Sequence, residues 1–247
     1  MRFYRLLRDG AVSGAVAGLA AALVMWLLTE PVIRRALVVE DARTHATGGH
    51  THSDEIVSRT AQVLVGGLTA ALVGILFGLV FAVVFARARH RLPGLTDHAR
   101  ALWLAAVGFG VFVLLPALAV PADPPGVGDP DTVTRRTLVY LLTILVGLLV
   151  VGVVSAVDAL LRGRDVAHPV RVTAGLLAVA VLVPLTVWLL PAAASSIPAD
   201  VPADLVWDFR LASIAQQAAM WLVLACVFGL LQSRRTTAAR EVQTAAR

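Results

Sequence analysis

Lysine is missing from this chain of 247 residues: all 21 basic side chains are arginine. The two cations differ physically, but a complete absence of one is read as coding bias rather than mechanism. Cysteine is nearly missing too. The single thiol, Cys226, excludes a disulfide-stapled secreted scaffold. Charge is scarce, at 15% of residues against 58% apolar, and the mean hydropathy is +0.82. A soluble domain is usually about one-quarter charged. Little charge with high hydrophobicity excludes disorder. A chain this short cannot hide so much apolar side chain from water, which argues against a soluble enzyme and for an integral membrane protein. Enzyme signatures are also absent: there is no H-E-x-x-H, no G-x-S-x-G and no P-loop.

What is present is a set of long apolar runs. A spanning helix needs about 20 mostly apolar residues. Six windows qualify, at residues 11–28, 61–86, 101–120, 138–161, 172–190 and 211–231. None alternates polar and apolar as a barrel strand does. The expected fold is all-α, one integral membrane domain of six transmembrane helices, with residues 232–247 as a flexible cytoplasmic tail. Arg2, Arg5 and Arg8 precede the first window as in a signal peptide. Its apolar run is too long for one, and Thr29-Glu30-Pro31 offers no small-residue cleavage site, so it is read as an uncleaved span.

Arginine placement gives the orientation. With the N-terminus cytoplasmic, the inner segments hold 14 of the 21 arginines and 5 of the 16 acidic residues. The inner face is then +9 and the outer face −4, so the net charge of +5 reports a topology with both termini inside, not a nucleic-acid surface. Trp26, Trp188 and Trp207 fall near outer boundaries and Trp103 near an inner one, as interfacial anchors do. Trp221 falls mid-span and reads as packing.

Small residues repeat every four positions on the first two spans: Gly10, Gly14, Gly18 and Ala22, then Gly66, Ala70, Gly74, Gly78, Ala82 and Ala86. Residues four apart share a helix face, and smooth faces let backbones approach closely. The two spans either pack on each other or offer a seam to a partner helix or a second copy. Pro116 and Pro184 fall inside spans three and five. Such breaks either mark a site or are tolerated kinks.

The outer loops hold the ligand chemistry. Loop one, about residues 29–60, carries Glu40, Asp41, His45, His50, His52, Asp54 and Glu55. Neutral imidazole suits divalent transition metals, and Gly48 and Gly49 would let His45 fold back on His50 and His52. The loop is either a metal-capture cluster or a polar surface loop rich in His. Loop two, residues 121–137, is rich in Pro and Gly and reads as a compact turn. In it Asp131 or Thr132 would cap the next helix, and Asp129 would ligate a metal or pair with Arg135 or Arg136. Loop three places Asp208 at the mouth of span six, with Gln216 and Gln217 just below. These residues, with Asp129 and Asp131, are candidates for a cation path or for capping and interhelical hydrogen bonds. Met220 and Cys226 read as packing rather than as soft ligands.

Several of these segments together resemble the CbtA family of predicted cobalt transporter subunits. The residues that carry the resemblance are Glu30-Pro31, Val57-Ser58-Arg59, the loop Pro121…Pro124-Pro125…Gly128-Asp129-Pro130-Asp131-Thr132…Arg135-Arg136-Thr137, and Trp207…Phe209-Arg210-Leu211-Ala212-Ser213. The resemblance implies a role in cobalt uptake supporting cobalamin synthesis, in a bacterial cytoplasmic membrane. Co²⁺, or Ni²⁺, would be cargo and not a permanently bound cofactor. It also implies a small single-span, His-rich partner of the CbtB type. The rival expectation is a non-transporting scaffold that assembles or stabilises that partner. No catalytic residue is expected.

Overall fold

Each of the six apolar windows folds as helix in the computed structural model, which describes residues 2–46, 59–128, 130–191, 193 and 197–245. The helices are α1 (Arg2–Val24), α2 (Glu30–Ala46), α3 (Arg59–Ala88), α4 (Asp97–Phe109), α5 (Leu115–Ala119), α6 (Val133–Arg162), α7 (His168–Leu189) and α8 (Ala203–Ala245). No strand occurs among the described residues. Among the described residues, six helices are long and apolar enough to cross a membrane: Phe3–His45, Leu64–Ala88, Asp97–Ala119, Val133–Arg162, His168–Leu189 and Ala203–Arg234.

Two of these helices run through π turns, Met25–Thr29 between α1 and α2 and Gly110–Leu114 between α4 and α5. Each turn ends two residues before a proline, Pro31 in one case and Pro116 in the other. Proline lacks an N–H and its ring clashes with the carbonyl four residues back. A π turn moves that carbonyl aside by widening the coil. The Glu30 N–H accordingly bonds the Met25 carbonyl, five residues back. Pro184 has no such turn and sits inside α7. There Thr186 donates its hydroxyl to the Leu182 carbonyl at 2.7 Å.

These π turns correct loop one. The sequence reading ended span one near Thr29, but the helix continues to Ala46. The π turn absorbs Pro31, and residues 32–46 contain neither Gly nor a further Pro to stop the coil. α8 continues to Ala245, because residues 233–245 also lack Gly and Pro and include Ala, Arg, Glu and Gln, good helix formers.

The contacts divide the chain into two compact units, Met1–Phe109 with Ala203–Arg247, and Gly110–Pro202. In the first, α1 and α3 pack antiparallel: Gly10 lies against Gly78, Gly14 against Gly74, and Gly18 against Ala70. α8 packs on α1 and α4. Phe81 and Phe85 meet Phe228 edge-on, with ring centroids 5.3 and 5.1 Å apart. Trp221 meets Phe77 the same way at 6.1 Å and fills the space beside Gly108. In the second unit, α6 buries the stripe Val139, Thr143, Gly147 and Val150. Gly147 admits Val111 and Leu115, which would stand 3.1 Å from a Cβ there.

Candidate functional site

The continuation of α2 decides where the loop-one ligands stand. Asp41 and His45 are four residues apart on one helix, so they share a face, and both are exposed. Glu40 is half-buried on the adjoining flank, where its carbonyl accepts the Thr44 hydroxyl at 3.0 Å. His50, His52, Asp54 and Glu55 lie outside the described residues. Among the described residues no three His, Cys, Asp or Glu side chains gather closely enough to hold a metal ion.

At 100° per residue, Glu30, Arg34, Asp41 and His45 fall within about 60° of one another around α2. They form one chemical stripe from its base to its tip. The opposite face carries Val32 and Ala36, both buried. At the base, Glu30 is only 7% exposed and accepts a hydrogen bond from Arg34 Nε at 3.0 Å. Thr29, also buried, sets its hydroxyl 3.4 Å from Gln216 Oε1 of α8. Gln217, one position on, turns outward and is exposed. Consecutive helix residues point about 100° apart, so only one of the two glutamines can face α1.

Above this level Arg35 clamps α2 to the start of α8. Its guanidinium donates to Asp204 Oδ2 at 2.6 Å and to Asp208 Oδ2 at 2.9 Å. Asp208, a candidate for the cation path, is therefore engaged by an arginine that the sequence spacing could not pair with it. At the other end of α1, Asp9 is 1% exposed and accepts a hydrogen bond from Gln232 Nε2 of α8 at 2.9 Å. The sequence reading counted Asp9 only as a charge. Its position beside Gly10, at the start of the small-residue stripe, was the available signal that its carboxylate would be enclosed.

The proline-rich loop of the second unit is held by Arg136. Its guanidinium donates to Asp123 Oδ2 at 2.5 Å and to the Pro121 carbonyl at 2.7 Å. Asp129 lies outside the described residues. Asp131 is exposed in a short 3₁₀ turn, Pro130–Thr132, and lines an open pocket with Thr134, Arg135, Leu138 and Pro191. Thr132 takes the N-cap position of α6 without a side-chain cap bond. On α6, Asp158 is bonded by Arg171 of α7 at 2.9 Å and by Arg162. In the first unit Asp97 is held by Arg100 at 3.1 Å, with Arg89 at 3.6 Å.

The family model CbtA, described as "Probable cobalt transporter subunit", matches residues 3–233. The chain belongs to the CbtA family. The match takes in α2, both π turns, the proline-rich loop and all but the last turns of α8. No curated protein and no solved structure matches the chain. For a CbtA chain, the arrangement offers nitrogen and oxygen donors at the tip of α2, oxygen donors at its base, and an arginine clamp between them.

Proposed function

We propose that the chain is a multi-pass permease subunit that takes up a divalent transition-metal cation, most of all Co²⁺, in support of cobalamin synthesis. The observation that carries this reading is the family match over residues 3–233, on a chain whose helices include six able to cross a membrane. The membrane is a bacterial inner membrane, and the placement of arginine supports both termini on its cytoplasmic side. The family description says "subunit", which supports a partner; a small single-span, His-rich protein of the CbtB type fits that place.

His45, Asp41 and Glu40, with His50, His52, Asp54 and Glu55, capture the cation outside. Imidazole and carboxylate together suit Co²⁺ and equally Ni²⁺, and the exposure of Asp41 and His45 on one face supports their place in the set. Asp129 and Asp131 extend the acidic outer surface, which concentrates cations. Gln216 lies on the inward path, whereas Gln217, being exposed, is a lipid or partner contact.

A second reading has an observation of its own. The carboxylates of Glu30, Asp97, Asp123, Asp158, Asp204 and Asp208 all meet arginine. A chain with its carboxylates so engaged suits a scaffold that stabilises the metal-binding partner. The two readings part in a strain whose growth at limiting Co²⁺ depends on this chain. Replacing His45, His50 and His52 with Ala should raise the Co²⁺ requirement by about tenfold or more, since losing even an outer partner of a metal ligand costs about that much affinity. Unchanged growth, with the partner's abundance falling when the whole chain is deleted, would favour the scaffold.

A further inference from the structure

Around the base of α2 stand four kinds of oxygen. Glu30 supplies a carboxylate and Thr29 a hydroxyl, and both are buried. Gln216 supplies an amide oxygen, facing that hydroxyl across 3.4 Å, a long and weak hydrogen bond. The π turn supplies the fourth. Pro31 has no N–H, and the Glu30 N–H is taken by the Met25 carbonyl. The Leu27 carbonyl therefore lacks the i+4 donor it would have in an α-helix.

Single π turns inside α-helices frequently fall at functional sites. This π turn stands at the outer end of the apolar run. Thr29 follows the apolar run of α1 directly, and Gln216 is five residues into that of α8, about 8 Å. The opposite polar tier, Asp9 with Gln232, lies 20 residues away along α1, about 30 Å, the thickness of a bilayer core.

We propose that Glu30, Thr29 and Gln216 form a cation-binding station at the outer end of α1, kept closed by Arg34 as a displaceable counter-ion. This rests on the transport reading and names the step after capture. The donors are all oxygen with one carboxylate, a set that binds a divalent cation weakly and with water retained. A conducting site must release what it binds, so weak binding suits a transit station better than a storage site. Arg34 is well placed for its role. Its side chain is 65% exposed, against 9% for Glu30, so it covers the carboxylate from the solvent side and can swing away. Arg34 and Glu30 also lie on the stripe that begins at His45 and Asp41.

The sign of the Arg34 effect separates this station from a purely structural ion pair. The experiment is ⁵⁷Co²⁺ uptake in cells carrying the full chain and its small partner, with membrane abundance followed by immunoblot. Glu30→Gln should lower uptake at limiting Co²⁺ by about tenfold at unchanged abundance, and Thr29→Val and Gln216→Leu by smaller factors. Glu30→Asp should recover part of the loss. Arg34→Gln should lower the half-saturating Co²⁺ concentration, because a competing cation has been removed. If Arg34→Gln instead loses uptake as Glu30→Gln does, or if Glu30→Gln transports normally, the station is overturned and the transport reading survives. If the unaltered chain takes up no Co²⁺, the reading beneath the station fails, and the station with it.

Discussion

Gly14 of α1 and Gly74 of α3 stand so close that neither can carry a side chain. A Cβ built on either one lands on the other's carbonyl oxygen. The same reciprocity holds between Gly10 and Gly78. Because the partners are backbone atoms, no rotamer change relieves the clash. The helices would have to separate.

Substitution along this seam should therefore be graded. Gly14→Ala or Gly74→Ala should destabilise the chain by about 1–3 kcal/mol, as overpacking does. Gly66 lies on the same run of small residues, but a Cβ there meets only the Met25 methyl at 3.5 Å. Gly66→Ala should be neutral or stabilising, by up to about 1 kcal/mol of helix propensity. Thermal unfolding of the detergent-purified variants checks the ranking.

The strap on the proline-rich loop predicts coupling. Asp123 and Arg136 are both largely buried, with side chains 4% and 19% exposed. Removing either partner leaves a buried charge, at a cost of about 3 kcal/mol. The double variant Asp123→Ala/Arg136→Ala should cost clearly less than the two single losses combined. Strict additivity, measured by the same unfolding assay, would mean the pair does not hold the loop.

The ligands on α2 and the clamp below them should separate kinetically. Asp41→Asn and His45→Ala should each raise the half-saturating Co²⁺ concentration several-fold. Asp208→Asn should change it by less than about twofold, because Arg35 already occupies that carboxylate. A larger effect at Asp208 than at His45 would reverse the order of the path.

Most of the helices could be read from the sequence, since a long uncharged window in a membrane protein has one stable form. The glycine repeats likewise located faces of close approach, and the packing of α1 on α3 was one of the two readings they left open. Two features were hidden for physical reasons. The continuation of α2 depends on a π turn that absorbs Pro31, and a proline after Thr29-Glu30 reads locally as a stop. The pairings of Arg35 with Asp208, of Gln216 with Thr29 and of Asp9 with Gln232 join residues 173, 187 and 223 positions apart. Spacing arguments do not reach that far. Arg136 shows the same limit over a short distance: its guanidinium reaches back 13 positions to Asp123.

Orientation can be checked independently of metal. A green fluorescent protein fused after Arg247 should fluoresce, and alkaline phosphatase inserted at Pro125 or Asp200 should be active, since the first needs the cytoplasm and the second the outside. The opposite pattern would invert the membrane topology inferred from arginine placement.

Transport is measured most directly as the initial rate of ⁵⁷Co²⁺ entry into cells expressing the chain with and without its small partner. Saturable entry above the vector control is expected when both proteins are present, competed by Ni²⁺ and lowered by replacement of His45, His50 and His52. Entry equal to the vector control under both conditions would contradict the transport reading.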